Sequence, residues 1–386
     1  MFDVHVAGSG PGGAVCAREC ARFGLTVLVS EEHARVGLPV QCSGLVSKEG
    51  LDGMGVDYRK VALNEVTGAN IYAPSGDCLH VGTSEVRAVV VDRAGLDQML
   101  AEQAEREGAR VETGKKVTRA TVRGRVVVGA DGYASTIAKD YGFPPIREFA
   151  VCAQADFEGV RLEDKRTIDV YLSNERYPGF FAWMIPTGSD TAHVGLGVFY
   201  EAGGRMPPVK EHFARLLREE RISSLLDGAK EISRLAGIIP LGVRAETVRG
   251  NALLVGDAAG HAKATTGGGI VFATVAGGIA AEAIAAHFEE NAPLSNYERM
   301  WRAELQRDLE LHMMMRRMYN SLSDAEIDRY AAMARALGAE RFLNAHGHMD
   351  RPSRMMSALS SGAFAPLRAF ALSVLSDYGN ILARAP

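Results

Sequence analysis

The sequence predicts an α/β fold: a parallel-sheet domain assembled from separated stretches, with a second domain on an antiparallel sheet inserted into it. Three observations predict it. A glycine fingerprint, Gly8-Ser9-Gly10-Pro11-Gly12-Gly13, follows a short apolar run. Two later apolar runs each end in an acid set among small residues, Gly129-Ala130-Asp131-Gly132 and Val255-Gly256-Asp257-Ala258-Ala259-Gly260. Between these two runs the chain alternates apolar and polar residues with period two, the pattern of antiparallel strands with one buried face.

Taken in order, residues 2–7 read as a strand, 14–23 as a helix stopped by Gly24, and 26–30 as a second strand ending at Glu31. The G-x-G-x-x-G spacing falls on Gly8, Gly10 and Gly13. Gly8 suits the tight turn, Gly10 lets a pyrophosphate approach the backbone, and Gly13 lets the helix pack closely on the strand. The free N–H groups and the dipole of the helix N-terminus favour phosphate. Glu31 follows at the spacing where an acid accepts hydrogen bonds from a ribose. A loop at 32–47 centres on Pro39-Val40-Gln41-Cys42-Ser43-Gly44. Residues 70–73 and 79–82 read as a hairpin around Pro74-Ser75-Gly76-Asp77, and Val89-Val90-Val91 leads through Asp92-Arg93 into a helix at 95–107. Strands are expected at 117–122 and 125–128, with Gly124 turning between them.

In the middle block, 168–172 and 192–198 alternate, and 178–186 is the most aromatic stretch of the chain. A helix is expected at 209–219. Residues 252–260 return to the strand-then-acid pattern, and 264–281 carries no charge. Its five glycines and the Glu282 that ends it favour a helix buried in the protein over one crossing a bilayer. From 295 onward the chain reads as helical.

Composition narrows the function. The chain has 386 residues, enough for two domains and an appendage, and its 47% hydrophobic and 23% charged content describes a globular protein. A net charge of −4 argues against nucleic acid as a partner. Cys16, Cys20, Cys42, Cys78 and Cys152 form no C-x-x-C pair and no metal-ligand spacing, so they read as reduced cytosolic thiols and no metal is expected.

The fingerprint and the two acid-bearing motifs, in this order, resemble the FAD-dependent superfamily of aromatic hydroxylases. Within it the chain is most similar to the geranylgeranyl reductase family. Two stretches carry that narrower match: Pro178-x-x-Phe181-x-Trp183-x-Ile185-Pro186, close to the family's P-x-x-Y-x-W-x-F-P, and Gly256-Asp257-Ala258-Ala259 followed by Thr266-Gly267-Gly268-Gly269-Ile270. Phe181 and Ile185 depart from the motif's tyrosine and phenylalanine, and Lys263-Ala264 stands where many superfamily members carry Asp-Pro.

The resemblance implies a Rossmann-like, three-layer FAD-binding domain from 1–64, 87–145 and 246–290. It implies an antiparallel-sheet substrate domain from 65–86 and 146–245, and a C-terminal helical region at 291–386. FAD would be held by Gly8, Gly10, Gly13, Glu31, Cys42, Arg93, Asp131, Asp257, Gly267, Gly268, Gly269 and Ile270. Asp257 would accept from the ribityl hydroxyls, and the glycine run would bring N–H groups to the flavin's pyrimidine edge. Arg93 reads equally as a surface arginine at a helix start. Cys42 reads either as a thiol that tunes the flavin or delivers a proton, or as a small buried residue. His261 is the other catalytic candidate, through histidine's pKa, with a structural role as the alternative. Phe181, Trp183 and Met184, with Phe180, would line an apolar pocket suited to an isoprenoid chain.

The implied activity is FAD-dependent saturation of isoprenoid C=C bonds on archaeal-type prenyl lipids. Two readings stand beside it: a flavin monooxygenase acting on an apolar substrate, and a non-catalytic carrier of prenyl lipid or electrons. The electron donor is left open among NAD(P)H, ferredoxin and a deazaflavin, because no separate nicotinamide fingerprint exists. The expected location is the cytoplasm, with peripheral contact at the inner face of the membrane.

Overall fold

The computed structural model describes residues 1–360 and 362–382. The chain forms two compact units. The first comprises Met1–Leu63, Val90–Phe149 and Ile238–Glu310; the second comprises Asn64–Val89, Ala150–Gly237 and the chain from Leu311 onward. The C-terminal helices expected as one region at 291–386 are therefore divided between the units. The reason is apolar anchoring: Leu294, Tyr297, Trp301, Leu305 and Leu309 are buried in the core of the first unit.

The first unit is built on a six-stranded sheet. Its order is Val248–Arg249, Ala252–Leu254, Gly124–Gly129, Phe2–Ala7, Val27–Ser30 and Arg110–Glu112. All neighbours pair parallel except the first two, which form an antiparallel edge. Val4, Val6, Val126 and Val128 pack on one face into the main core, while Ala7, Val127 and Ile137 belong to a second cluster. Both faces are thus covered, as near-continuous valine runs in a parallel sheet require.

The helix Pro11–Arg22 begins with proline at its first turn, where no N–H is needed, and a glycine at positive φ follows its end at Gly24. It lies against the uncharged helix Ile270–Glu290. A Cβ on Gly277 would stand 2.4 Å from the Gly12 carbonyl oxygen, so small residues are what allow these two backbones to meet. Ile270–Glu290 is long and apolar enough to cross a membrane, yet 56% of its most apolar window is buried within the protein.

The second unit carries a seven-stranded sheet in the order Lys230–Leu241, Glu148–Glu158, Thr191–Glu201, Ala182–Pro186, Thr167–Tyr171, Gly68–Tyr72 and Cys78–Gly82. The expected hairpin at 70–82 forms, pairing Ile71 with Leu79. One face of this sheet is buried against the helices Val209–Leu216 and Glu220–Leu225, with Met184, Val194, Leu196, Phe213 and Leu216 in that core. Later helices include Asp324–Ala336, opened by a Ser323/Glu326 capping box, and Ala339–His346, which packs on Leu79.

Three local expectations are corrected. Residues 117–122 do not form a strand, because Thr118 and Thr121 cap each other around a short turn at Arg119–Thr121. The helix expected at 209–219 breaks after Leu216 and restarts at Glu220. Two long strands, Glu148–Glu158 and Lys230–Leu241, were not anticipated; the first is buried over six successive residues and the second is a mostly exposed edge, so neither alternates.

Candidate functional site

Strand order brings the first unit's motifs together. Gly8 follows Phe2–Ala7, Glu31 follows Val27–Ser30, Asp131 follows Gly124–Gly129, and Asp257 follows Ala252–Leu254. These four strands are consecutive neighbours and mutually parallel, so their carboxyl ends form one sheet edge. Ligands of open parallel sheets bind at that edge.

The fingerprint glycines have separate tasks. A Cβ on Gly8, whose φ is +95, would lie 2.3 Å from the Ala130 carbonyl oxygen, and one on Gly13 would lie 2.2 Å from that of Gly8. Those two are required by the protein's own packing. A Cβ on Gly10 would meet nothing within 4 Å, so the space over this helix start is open. Gly10 is also the N-cap, and no side chain caps the helix there.

Glu31 is anchored beside the turn. Ser9 N–H donates to Oε2 at 3.0 Å, while Oε1 accepts from His33 N–H at 3.0 Å and lies 2.6 Å from His33 Nδ1. Asp131 is committed to its own loop: Ser135 Oγ–H donates to Oδ1 at 2.6 Å and Ile137 N–H to Oδ2 at 3.1 Å. It shapes the sheet edge rather than presenting a free carboxylate.

Arg93 is largely buried rather than a surface residue. Its Nη2 donates to both carboxylate oxygens of Asp97 at 2.8 Å. Burial disfavours the charged guanidinium, but Asp97 and the neighbouring Cys42 outweigh it and hold the pKa above arginine's usual value. Cys42 Sγ accepts from Gly44 N–H at 3.4 Å. The Asp257 carboxylate accepts no hydrogen bond from the described residues; burial pushes its pKa up to about 6 against the opposing pull of Arg93. A Cβ on Gly269 would stand 3.0 Å from its Oδ1. The Gly267–Gly269 turn is closed by Lys263 N–H donating to Gly268 O at 3.0 Å and Gly267 N–H to Lys263 O at 2.8 Å. Gly268, Gly269 and Ile270 keep their own N–H groups unpaired among the described residues, at the uncapped start of Ile270–Glu290.

Two sequence candidates are corrected. His261 is fully buried, its ring 4.7 Å from that of Trp301, and burial pushes its pKa down to about 3. Burial disfavours the protonated imidazole that an acid would need, which favours the structural alternative, although both ring nitrogens are buried without a hydrogen-bond partner among the described residues. Met184 is also misplaced, because successive strand residues point to opposite faces. Met184 is 2% exposed in the core beneath the helices, whereas Trp183 is half-buried on the other face.

That other face belongs to the second unit. Its cross-strand register runs Leu79, Ile71, Val170, Trp183, Gly195, one residue on each of five neighbouring strands. At about 4.8 Å per strand the row spans roughly 19 Å with no charged residue in it. A Cβ on Gly195 would stand 2.6 Å from the Trp183 ring, and one on Gly197 would stand 2.4 Å from Phe180, so both glycines make room for aromatic rings. Phe181 stacks on Phe180 at 4.5 Å and meets Trp183 edge-on at 5.7 Å. Trp183 Nε1–H donates to Gln154 Oε1 at 3.1 Å.

The first unit's edge fits the FAD that the resemblance implies. Ser9 Oγ and Arg93 Nε are buried without a partner among the described residues, Asp257 offers an unused acceptor, and Gly10 leaves open space above free backbone N–H groups. Donors for a diphosphate and an acceptor for a polyol are the chemistry of a dinucleotide. Ser9 was missed in the sequence because serine at that fingerprint position carries no signal of its own.

Comparison with known proteins agrees. An FAD binding domain family model matches residues 1–300. A digeranylgeranylglycerophospholipid reductase of Methanocaldococcus jannaschii is 30% identical, covering 88% of this chain and 91% of the relative. Digeranylgeranylglycerophospholipid reductase 2 of Methanothermobacter thermautotrophicus is 32% identical over 85% of this chain and 90% of its own. In fold, the chain resembles a geranylgeranyl bacteriochlorophyll reductase-like protein of Thermoplasma acidophilum, with a TM-score of 0.80 and 24% identity over 96% of this chain and 99% of that one.

Proposed function

Because the chain belongs to the FAD binding domain family and to the digeranylgeranylglycerophospholipid reductases within it, and is therefore an FAD-dependent oxidoreductase, we propose that it saturates C=C bonds in the geranylgeranyl chains of ether-lipid precursors. The observation that carries this reading is the uncharged row that runs from Ile71 through Val170 and Trp183 to Gly195. An isoprenoid has nothing to hydrogen-bond and is held by apolar contact alone. Burying one five-carbon unit supplies roughly 4 kcal/mol at about 0.8 per carbon.

Bound FAD, reduced by an outside donor, supplies hydride. The protein's own groups bind and orient. Backbone N–H groups at Gly10 and Gly268 to Ile270 hold anionic oxygen, Arg93 adds a positive charge beside Cys42, and Asp257 accepts hydroxyl hydrogens. Trp183 and Phe181 fix the prenyl chain. Mass spectrometry of a digeranylgeranylglycerophospholipid after incubation with dithionite-reduced protein tests the proposal. A gain of two mass units per double bond is expected; oxygen uptake with a hydroxylated product would instead establish a monooxygenase.

Asp257→Ala is expected to weaken FAD binding by about 1.5–3 kcal/mol, the usual loss for a hydrogen bond to a charged group. Unchanged affinity in a fluorescence titration would make Asp257 a packing residue. Its pKa also sets a pH dependence. Ionised, the carboxylate is the stronger acceptor, so FAD affinity should be flat above pH 7 and fall as pH drops through about 6. Asp257→Asn should remove that dependence.

We place the enzyme peripherally at the inner membrane face, where a prenyl lipid resides. Release of the protein from membranes by high salt or carbonate is expected; a requirement for detergent would contradict it.

A further inference from the structure

The sheet face that carries Trp183 changes character at one end. Beside the row from Ile71 to Gly195 lies a second row, two residues along each strand and so on the same face, that runs Ala69, Ile168, Ile185 and His193. It is apolar over three strands and ends in an imidazole. A polar chain continues from there. Asp156 Oδ1 lies 2.6 Å from His193 Nδ1 and accepts from Gln154 Nε2–H at 3.3 Å, while Asp156 Oδ2 accepts from Ser233 Oγ–H at 2.5 Å. Gln154 in turn accepts the Trp183 indole N–H. All of these residues belong to the second unit.

The His193 side chain is 14% exposed, and its Nε2 has no hydrogen-bond partner among the described residues. A plain hydrocarbon laid over this end of the face would take that nitrogen from water and give nothing in exchange. A ligand oxygen at the same point removes the penalty. That oxygen is neutral, because the Asp156 carboxylate at the other ring nitrogen is 29% exposed and repels an anion. The two rows are offset by about 7 Å along the strands, so an oxygen held at Nε2 sets the first isoprene units of its chain against the indole.

We propose that His193, fixed by Asp156, is a head-group site: it binds a neutral hydroxyl or ether oxygen at the end of an isoprenoid chain whose carbons lie along Trp183, Val170 and Ile71. The assignment rests on the reading of this face as the prenyl-binding surface. With Nδ1–H given to Asp156, a neutral ring accepts a hydroxyl hydrogen at Nε2, and a protonated ring donates Nε2–H to a hydroxyl or an ether oxygen. A hydroxyl is bound in either state and an ether only in the second.

The test measures binding to the FAD-loaded protein through Trp183 fluorescence; the chain has two tryptophans, and the other, Trp301, is fully buried in the core of the first unit. Geranylgeraniol, its methyl ether, geranylgeranyl phosphate and the hydrocarbon of the same chain are titrated in the same detergent micelles. Wild type should bind the alcohol about 10–100-fold more tightly than the hydrocarbon, and the phosphate no more tightly than the alcohol. An ether that matches the alcohol identifies a ring that donates Nε2–H, and one that matches the hydrocarbon identifies a ring that accepts; either keeps the assignment. His193→Leu should retain its melting temperature and FAD content, bind the hydrocarbon at least as well as wild type, and lose the preference for the alcohol. Asp156→Ala, which frees the ring, should reduce the same preference and serves if His193→Leu does not fold. Equal affinity for alcohol and hydrocarbon in wild type, a preference that survives His193→Leu, or a phosphate preferred through His193 overturns the assignment alone. A hydrocarbon that changes Trp183 fluorescence in neither protein overturns the prenyl-surface reading and this assignment with it.

Discussion

Gly10→Val is expected to yield a folded protein that cannot hold FAD. The backbone at Gly10 has φ −69 and ψ 176, a conformation open to any residue, and a Cβ there touches nothing within 4 Å. The chain therefore has no packing reason for glycine at this position, and the space a valine would fill is where a diphosphate must approach the helix start. Losing two charge-assisted hydrogen bonds removes about 3–6 kcal/mol, at about 1.5–3 each. The variant should purify colourless, with a melting temperature close to that of wild type stripped of FAD. The same substitution at Gly8 or Gly13 should fail to fold, since each side chain would strike a carbonyl oxygen little more than 2 Å away. Stoichiometric flavin in purified Gly10→Val would remove the fingerprint from the binding site. This three-way comparison separates the glycine that serves a ligand from the two that serve the fold.

The first unit was legible in the sequence because its information is local. A strand, a glycine turn and a helix start lie within about twenty residues, and each later acid directly follows its own valine or leucine run. Adjacency of the four strands needed no sequence signal beyond the parallel βαβ rule. The second unit was less legible. Its strands showed in the alternation at 168–172 and 192–198, although the expected antiparallel pairing fails between Thr167–Tyr171 and Gly68–Tyr72, which run parallel, and the exposed edge strand Lys230–Leu241 carries mixed polar residues that match no template. The aromatic stretch shows composition but not facing, and one-residue spacing on a strand puts Met184 on the face opposite Trp183. His261 misled for the opposite reason. A histidine near a motif acid suggests chemistry, and only burial against Trp301 shows that its charge is suppressed.

Trp183→Ala distinguishes a substrate-bearing face from an ordinary sheet core. Were the indole a core residue, its loss would cost about 3–5 kcal/mol, and flavin would be lost with the fold. The structure predicts otherwise. Trp183 is half-buried, lies over a glycine with Phe181 at its edge, and uses one hydrogen bond to Gln154. The well-packed side of the same strand is formed by Ala182 and Met184, which the substitution leaves alone. FAD binds in the unit that holds the fingerprint, so flavin content should survive. Turnover of the prenyl lipid should fall on the order of a hundredfold, because a misplacement of about 1 Å is enough to cost that much in rate. Trp183→Phe keeps an apolar ring and removes the indole N–H, so it should recover most of the loss if the surface matters and little of it if the Gln154 bond does. A melting temperature that collapses together with flavin content, with normal activity per remaining flavin, would refute the assignment of this face to the substrate.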